Sequence, residues 1–304
     1  MEQENHLYEH DVVFRPPPEH NSILVEIAVG CTYSKCTYCA CTIPGADPFH
    51  LIPMEKVERN IAILAAEPKN RTKDTVFFLG LNVFALSTER LLDRFALVFK
   101  YMPWVKHISM YARADDVLHK NRQQLEELKM SGLGDLYIGL ESGSDKVLRL
   151  CQKGVTVAQM LEAFQTLDSL GIPYDLSSVV GLGGRELCWE HATQTAALYN
   201  QIHPKTIRIM ALTVWPGTQM DEEIKAGRFT KLTPEEEVLE QRLLLGELTL
   251  DECVFIASHM SNSIPLSGLL QRDKEAMLDK MDELIYTFDL TKIQKKPLAP
   301  TAGW

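Results

Sequence analysis

The chain has 304 residues, a formal net charge of −10, 45% hydrophobic residues and 24% charged ones, which is globular composition with too much apolar content for a disordered chain. The acidic balance argues against a surface that grips a phosphate backbone broadly, so nucleic acid is not expected as a partner. No apolar run approaches the ~20 residues of a membrane helix, and the polar start Met1–His6 does not read as a secretory or transit peptide, so a cytoplasmic location without membrane contact is expected.

Residues 1–22 are polar and proline-rich, an irregular lead-in. Ile23 to Val29 is a short β-branched run ended by Gly30, which predicts a buried strand. Similar runs follow at Thr75–Leu79, Val105–Tyr111, Leu136–Ile138, Tyr174–Val180 and Thr206–Leu212. Between them apolar residues recur at helical spacing: Val57, Ile61 and Leu64; Leu91, Phe95 and Val98; Met160, Phe164 and Leu167. Six strands alternating with helices imply an α/β fold with a parallel sheet wound in one sense. A closed eight-fold barrel takes about 250 residues. Here the alternation fills only residues 23 to 213, so a partial six-strand, TIM-like (β/α)6 barrel is expected. From Thr233 the pattern is helical. The expected organisation is a lead-in (1–22), a barrel core (23–232) and a helical C-terminal extension packed on it (233–304).

Seven cysteines, an odd number with four inside residues 31–41, do not make a disulfide framework. Cys31, Cys36 and Cys39 lie on a loop directly after the first strand, at the end of the strands where α/β barrels place their active sites. Clustered soft thiolates select zinc, copper(I) or an iron–sulfur cluster. Zinc with Cys41 as fourth ligand is the competing reading, but structural zinc sites pair two short knuckles and no second knuckle follows. An iron–sulfur cluster with one open iron fits the three thiols better. Cys151, Cys188 and Cys253 are expected to be buried.

This loop, with Tyr38 just before the last cysteine, resembles that of the radical S-adenosylmethionine (SAM) superfamily, and the resemblance extends over residues 12–265. It resembles in particular the subgroup described as coproporphyrinogen-oxidase-like or Elp3/MiaB/NifB-like. Four residues separate the first two cysteines here, where three are commoner in the family. The resemblance implies that Cys31, Cys36 and Cys39 hold three irons of a [4Fe–4S] cluster and that the fourth iron chelates the amino and carboxylate groups of SAM. One electron would then cleave SAM to methionine and a 5′-deoxyadenosyl radical that abstracts hydrogen. A small-molecule substrate and a low-potential electron donor, flavodoxin or ferredoxin, are implied as partners.

SAM contacts are then expected at other strand ends. Glu141 and Ser142 lie in a Glu-Ser-Gly-Ser stretch of the kind the family uses for SAM, although Ser144 or Asp145 would also cap the next helix. Gly183 falls in a glycine-rich segment like that near adenine. Arg113 and Arg208 offer bidentate forks for a carboxylate. A salt bridge to Asp115 or Asp116 competes for Arg113, and Arg208 points inward only if Ile207 and Ile209 point out. Gly80-Leu81-Asn82 stands where the family often has Gly-Gly-Glu, so Asn82 or a backbone carbonyl would replace the missing glutamate. His259 to Asn262 is a further polar patch. The alternative function is a non-catalytic iron–sulfur electron carrier or cluster-delivery protein, which would need a fourth cysteine on the loop.

Overall fold

In the computed structural model, which describes residues 7–9, 13–287, 289, 292 and 293, the chain opens with β1 (Ile23–Glu26), β2 (Ala28–Val29) and β3 (His50–Leu51). There follow α1 (Met54–Ala66), β4 (Thr75–Leu79), α2 (Thr88–Tyr101), β5 (His107–Ala112), α3 (Ala114–Leu118) and α4 (Arg122–Met130). The next elements are β6 (Leu133–Glu141), α5 (Asp145–Leu150), α6 (Val157–Leu170), β7 (Tyr174–Val180), α7 (Gly184–Tyr199) and β8 (Thr206–Ala211). The chain continues through α8 (Gln219–Lys225), α9 (Pro234–Glu247), β9 (Val254–Ile256), β10 (Ser267–Leu269) and α10 (Leu270–Thr287).

All six expected strands pair in parallel, in the order β1-β4-β5-β6-β7-β8. Among the described residues β1 remains an edge, so the barrel is open, as its length required. The sheet is longer than expected at its other edge. The segment read as helical after Thr233 also supplies β9, parallel to β8, and β10, antiparallel to β9. Three residues are too few for an alternation to register, although Cys253–Ala257 is an uninterrupted apolar run. The fourth strand was also underestimated, because Gly132 and Gly134 break up the apolar pattern at its start.

The three expected helical faces are buried against the outer side of the sheet: Val57, Ile61 and Leu64, then Leu91, Phe95 and Val98, then Met160, Phe164 and Leu167. Each such aliphatic or aromatic side chain contributes about 1.5–3 kcal/mol on burial. Ile207 and Ile209 join this outer core, which turns Arg208 and Met210 of β8 inward. Thr156 with Gln159, and Thr233 with Glu236, form capping boxes that start α6 and α9.

The lead-in closes the bottom of the barrel. A helical turn over Pro17–Asn21 places Glu19, 4% exposed, against the first residues of the strands, where it accepts from Tyr137 Oη at 2.9 Å and from Ser22. Residues 1–6 and 10–12 of the expected lead-in, like most of those beyond Thr287, lie outside the described residues. Among the described residues no helix is long and apolar enough to cross a membrane.

Candidate functional site

The loop that follows β2 leaves the sheet at Gly30. Its φ of +75° and the approach of Asp47 O, 2.8 Å from where a Cβ would stand, admit only glycine. The cysteine loop beyond is pinned from several sides. Thr32 N donates to Asn82 Oδ1 (3.0 Å), Tyr33 Oη to Gln152 O (2.7 Å), Thr37 N to Cys151 O (3.0 Å) and Met220 N to Thr37 O (2.9 Å). Its shape therefore depends on the ends of β4, α5 and the turn into α8, which a pattern of cysteines alone does not reveal.

Cys31, Cys36 and Cys39 line the mouth of a cavity of about 180 Å³ inside the barrel, together with Cys41 and Tyr38. All seven cysteines are free of disulfides. Burial pushes the Cys36 thiol up to about 11, against the pull of Lys153 and Arg113. The neighbouring Cys41 thiol, with burial, lifts Cys39 well above the ordinary thiol value. Among the described residues no three His, Cys, Asp or Glu side chains converge as the ligands of a single ion must. Three thiols spread over a loop can each hold a different iron of a cluster, so the donor set fits such a group. Cys151 and Cys253 are buried as expected, whereas Cys188 is only half-buried.

Glu141 ends β6 at the same cavity. A register shift between Gly139 and Glu141 and a φ of +64° at Glu141 turn its carboxylate inward. Such bulges re-aim a side chain at the rim of a barrel. Two neighbours hold this arrangement. Lys153 Nζ lies 2.9 Å from Glu141 Oε1, both side chains being no more than 10% exposed. His191 Nε2 donates to Glu141 O (3.1 Å) while its Nδ1 faces Glu240 Oε1 (2.5 Å). With acceptors on both ring nitrogens the imidazole carries both protons. Burial works against that charge, but Glu240 outweighs it and holds His191 above its ordinary value.

Of the other expected site residues, Asn82, Arg113 and Arg208 also line this cavity. Asn82 is 1% exposed and committed to the loop, since its Nδ2 donates to Thr32 Oγ1 (2.7 Å) and Asp116 Oδ2 (3.4 Å). Arg113 is likewise engaged. Its Nε meets Asp115 Oδ1 at 2.9 Å, its Nη2 donates to Lys153 O, and the Tyr33 ring lies 3.8 Å from it. The competing salt bridge thus forms, and it does so beside the cysteine loop. Asp116 accepts from Arg113 N, and burial raises its carboxyl to about 6.

Three expected residues stand outside this cavity. Gly80, at φ +132°, lines a neighbouring apolar cavity of about 420 Å³ that shares Phe14, Cys41 and Leu81 with the first. Ser142 is fully buried, its Oγ accepting from Ser144 N, while Ser144 caps α5. Gly183 precedes α7 and packs on Val147 and Leu187. The patch at 259–262 stitches the sheet instead: Asn262 Nδ2 donates to Ile209 O and Ala257 O, and Ser261 Oγ accepts from Ala211 N. Lys153 and Ser177 line the cavity without having been expected. Lys153 sits in a short connection between helices, where neither periodicity nor a motif marks it.

Comparison with known proteins bears on the family and the fold. The family model described as "Radical SAM superfamily" matches residues 25–198, more than half of the chain. The chain is 28% identical over 169 residues to 4′-phospho-dehydrooxetanocin synthase of Priestia megaterium, an alignment covering 50% of this chain and 22% of that one. Among solved structures it is similar to Elp3 of Methanocaldococcus infernus, with a TM-score of 0.55, 13% identity, and coverage of 86% of this chain and 63% of that one. It is also similar to coproporphyrinogen III oxidase HemN of Escherichia coli, with a TM-score of 0.54, 14% identity, and coverage of 74% and 50%. In each case the chain spans less than two thirds of the relative's length. At these identities the structural matches speak for the fold.

Proposed function

This chain belongs to the radical SAM superfamily and is an enzyme, and within that family we propose that Cys31, Cys36 and Cys39 hold a [4Fe–4S] cluster over the barrel cavity, where SAM binds against Glu141. The observation that carries this reading is the meeting of three free thiols with Glu141, Lys153, Arg113 and Arg208 around one inward-facing cavity. Held there, the cluster and SAM would supply a 5′-deoxyadenosyl radical able to abstract hydrogen from a small-molecule substrate.

The chain's own residues prepare the site. Burial raises the Cys36 thiol overall, and the cations of Lys153 and Arg113 offset part of that rise. Asn82, which stands where the family often has a glutamate, holds the loop through Thr32, so we assign it to positioning rather than to the SAM amino group. Glu141 keeps one carboxylate oxygen clear of Lys153 for a hydroxyl or ammonium of SAM. Tyr38, Val179 and Met210 give the cavity an apolar wall, against which a bound SAM and substrate would displace water. A low-potential donor of the flavodoxin or ferredoxin kind would deliver the electron at the exposed side of the loop.

The test is anaerobic reconstitution with iron and sulfide, followed by iron counting and electron paramagnetic resonance of the reduced protein with and without SAM. The reading expects a spectrum that changes on adding SAM, a cluster lost in Cys31→Ala, Cys36→Ala and Cys39→Ala, and a cluster kept in Cys41→Ala. A cluster that requires Cys41 and ignores SAM would instead support an electron carrier.

A further inference from the structure

The floor of the cavity holds a cation that no described residue pairs with directly. Arg208 lies in the middle of β8, is 7% exposed and lines the cavity. Among the described residues none makes a hydrogen bond or ion pair to its guanidinium, although buried charges are almost always paired. The neighbouring cations are paired: Arg113 with Asp115, and Lys153 with Glu141. The acids nearest the floor are not available to it. Glu19 accepts from Tyr137 and Ser22, and Asp175, which accepts from Thr206, acts on Arg208 only through space.

A second orphan group stands in the same cavity. Tyr111 Oη is buried with no hydrogen-bond partner, and its ring is held edge-on by Phe77 at 5.2 Å. Ser177, opposite Arg208 across β7 and β8, adds a hydroxyl. A guanidinium, a phenol and a hydroxyl around one space form a set rich in donors, and such a set suits an oxyanion.

We propose that Arg208 and Tyr111 bind an anionic group of the substrate, a carboxylate or a phosphate, and so hold the rest of the substrate toward the cysteine loop. The assignment rests on the function proposed above, in which the cluster and SAM take the cavity mouth against Glu141 and leave the floor to the substrate.

The test uses the reconstituted protein under anaerobic conditions, titrated calorimetrically with benzoate, inorganic phosphate and the neutral benzamide, and separately with SAM. Binding of benzoate assigns a carboxylate, and binding of phosphate assigns a phosphate. The anion that binds is expected to bind Arg208→Gln at least about tenfold more weakly, with a smaller loss in Tyr111→Phe, which keeps the ring. Benzamide is expected not to bind, and SAM to bind Arg208→Gln as it binds the wild type. The proposal falls if neither anion binds, if benzamide binds as well, if the variants bind the anion unchanged, or if Arg208→Gln loses SAM in parallel, which would give the guanidinium to SAM. Should Arg208→Gln fail to fold, Tyr111→Phe alone decides. Should no cluster assemble in the wild type, the radical reading fails, and the anion titration still reads the floor of the cluster-free protein.

Discussion

Replacing Lys153 by methionine keeps most of the side-chain volume and removes the ammonium that faces Glu141. The two charges stand 2.9 Å apart with side chains 7% and 10% exposed. At an effective dielectric of about 20, two unit charges at that distance attract by about 6 kcal/mol, most of it offset by the cost of desolvating both. Removing one partner leaves the other buried and uncompensated, a loss of about 3–5 kcal/mol. Here the lower end applies, because the Glu141 carboxylate faces a cavity that water can enter. The backbone should be little disturbed, since the Lys153 carbonyl still accepts from Arg113. Urea unfolding at pH 7.5 of Lys153→Met, Glu141→Gln and the double variant measures both the loss and the coupling. The double variant is expected to lose less than the two single losses combined, by about 2 kcal/mol or more. A loss below about 1 kcal/mol for Lys153→Met, or strict additivity, would refute the account of Glu141 as a carboxylate held by a buried counter-charge.

Three further outcomes follow from the packing around the site. In Gly143→Ala the new Cβ would lie 2.2 Å from the backbone oxygen of Gln194, so thermal unfolding should report a loss of about 3 kcal/mol, and a near-neutral variant would contradict the close contact between α7 and the end of β6. His191→Leu should cost about 3 kcal/mol in urea by leaving the buried Glu240 carboxylate with the Gly181 N–H but no counter-charge, with part regained in His191→Leu/Glu240→Gln; no regain would deny the pair. Burial raises Asp175 to about 6, above its unfolded value, so its contribution is full at low pH and lost as pH rises through 6. Asp175→Asn should therefore gain stability relative to wild type on going from pH 4.5 to pH 8, by about 2 kcal/mol in denaturant titrations, and a gain independent of pH would refute the assignment.

Much of the barrel was legible because its strands and helices obey local rules. Short apolar runs, four of them closed by glycine, marked all six parallel strands, and helical spacing marked the faces of α1, α2 and α6. β9 was not marked, since its three residues gain their place from pairing with β8, a contact distant in sequence. The site divided in the same way. The three cysteines announced themselves by spacing, and Glu141 and Arg208 by their places on strands. Lys153 did not, because its role is created by the turn after α5 bringing it beneath β6. Nor could sequence tell that Asn82 and Arg113 are spent on holding the loop, while Arg208 makes no hydrogen bond or ion pair among the described residues. That distinction depends on which side chains meet across strands, and only the folded chain supplies it.

The most direct test of the central claim is quantification of 5′-deoxyadenosine by mass spectrometry after anaerobic reconstitution and addition of dithionite and SAM. The account predicts that the wild type and Cys41→Ala produce it and that Cys36→Ala does not. No 5′-deoxyadenosine from a wild type whose cluster is lost in Cys41→Ala would contradict it, and would leave an iron–sulfur protein that carries electrons without cleaving SAM.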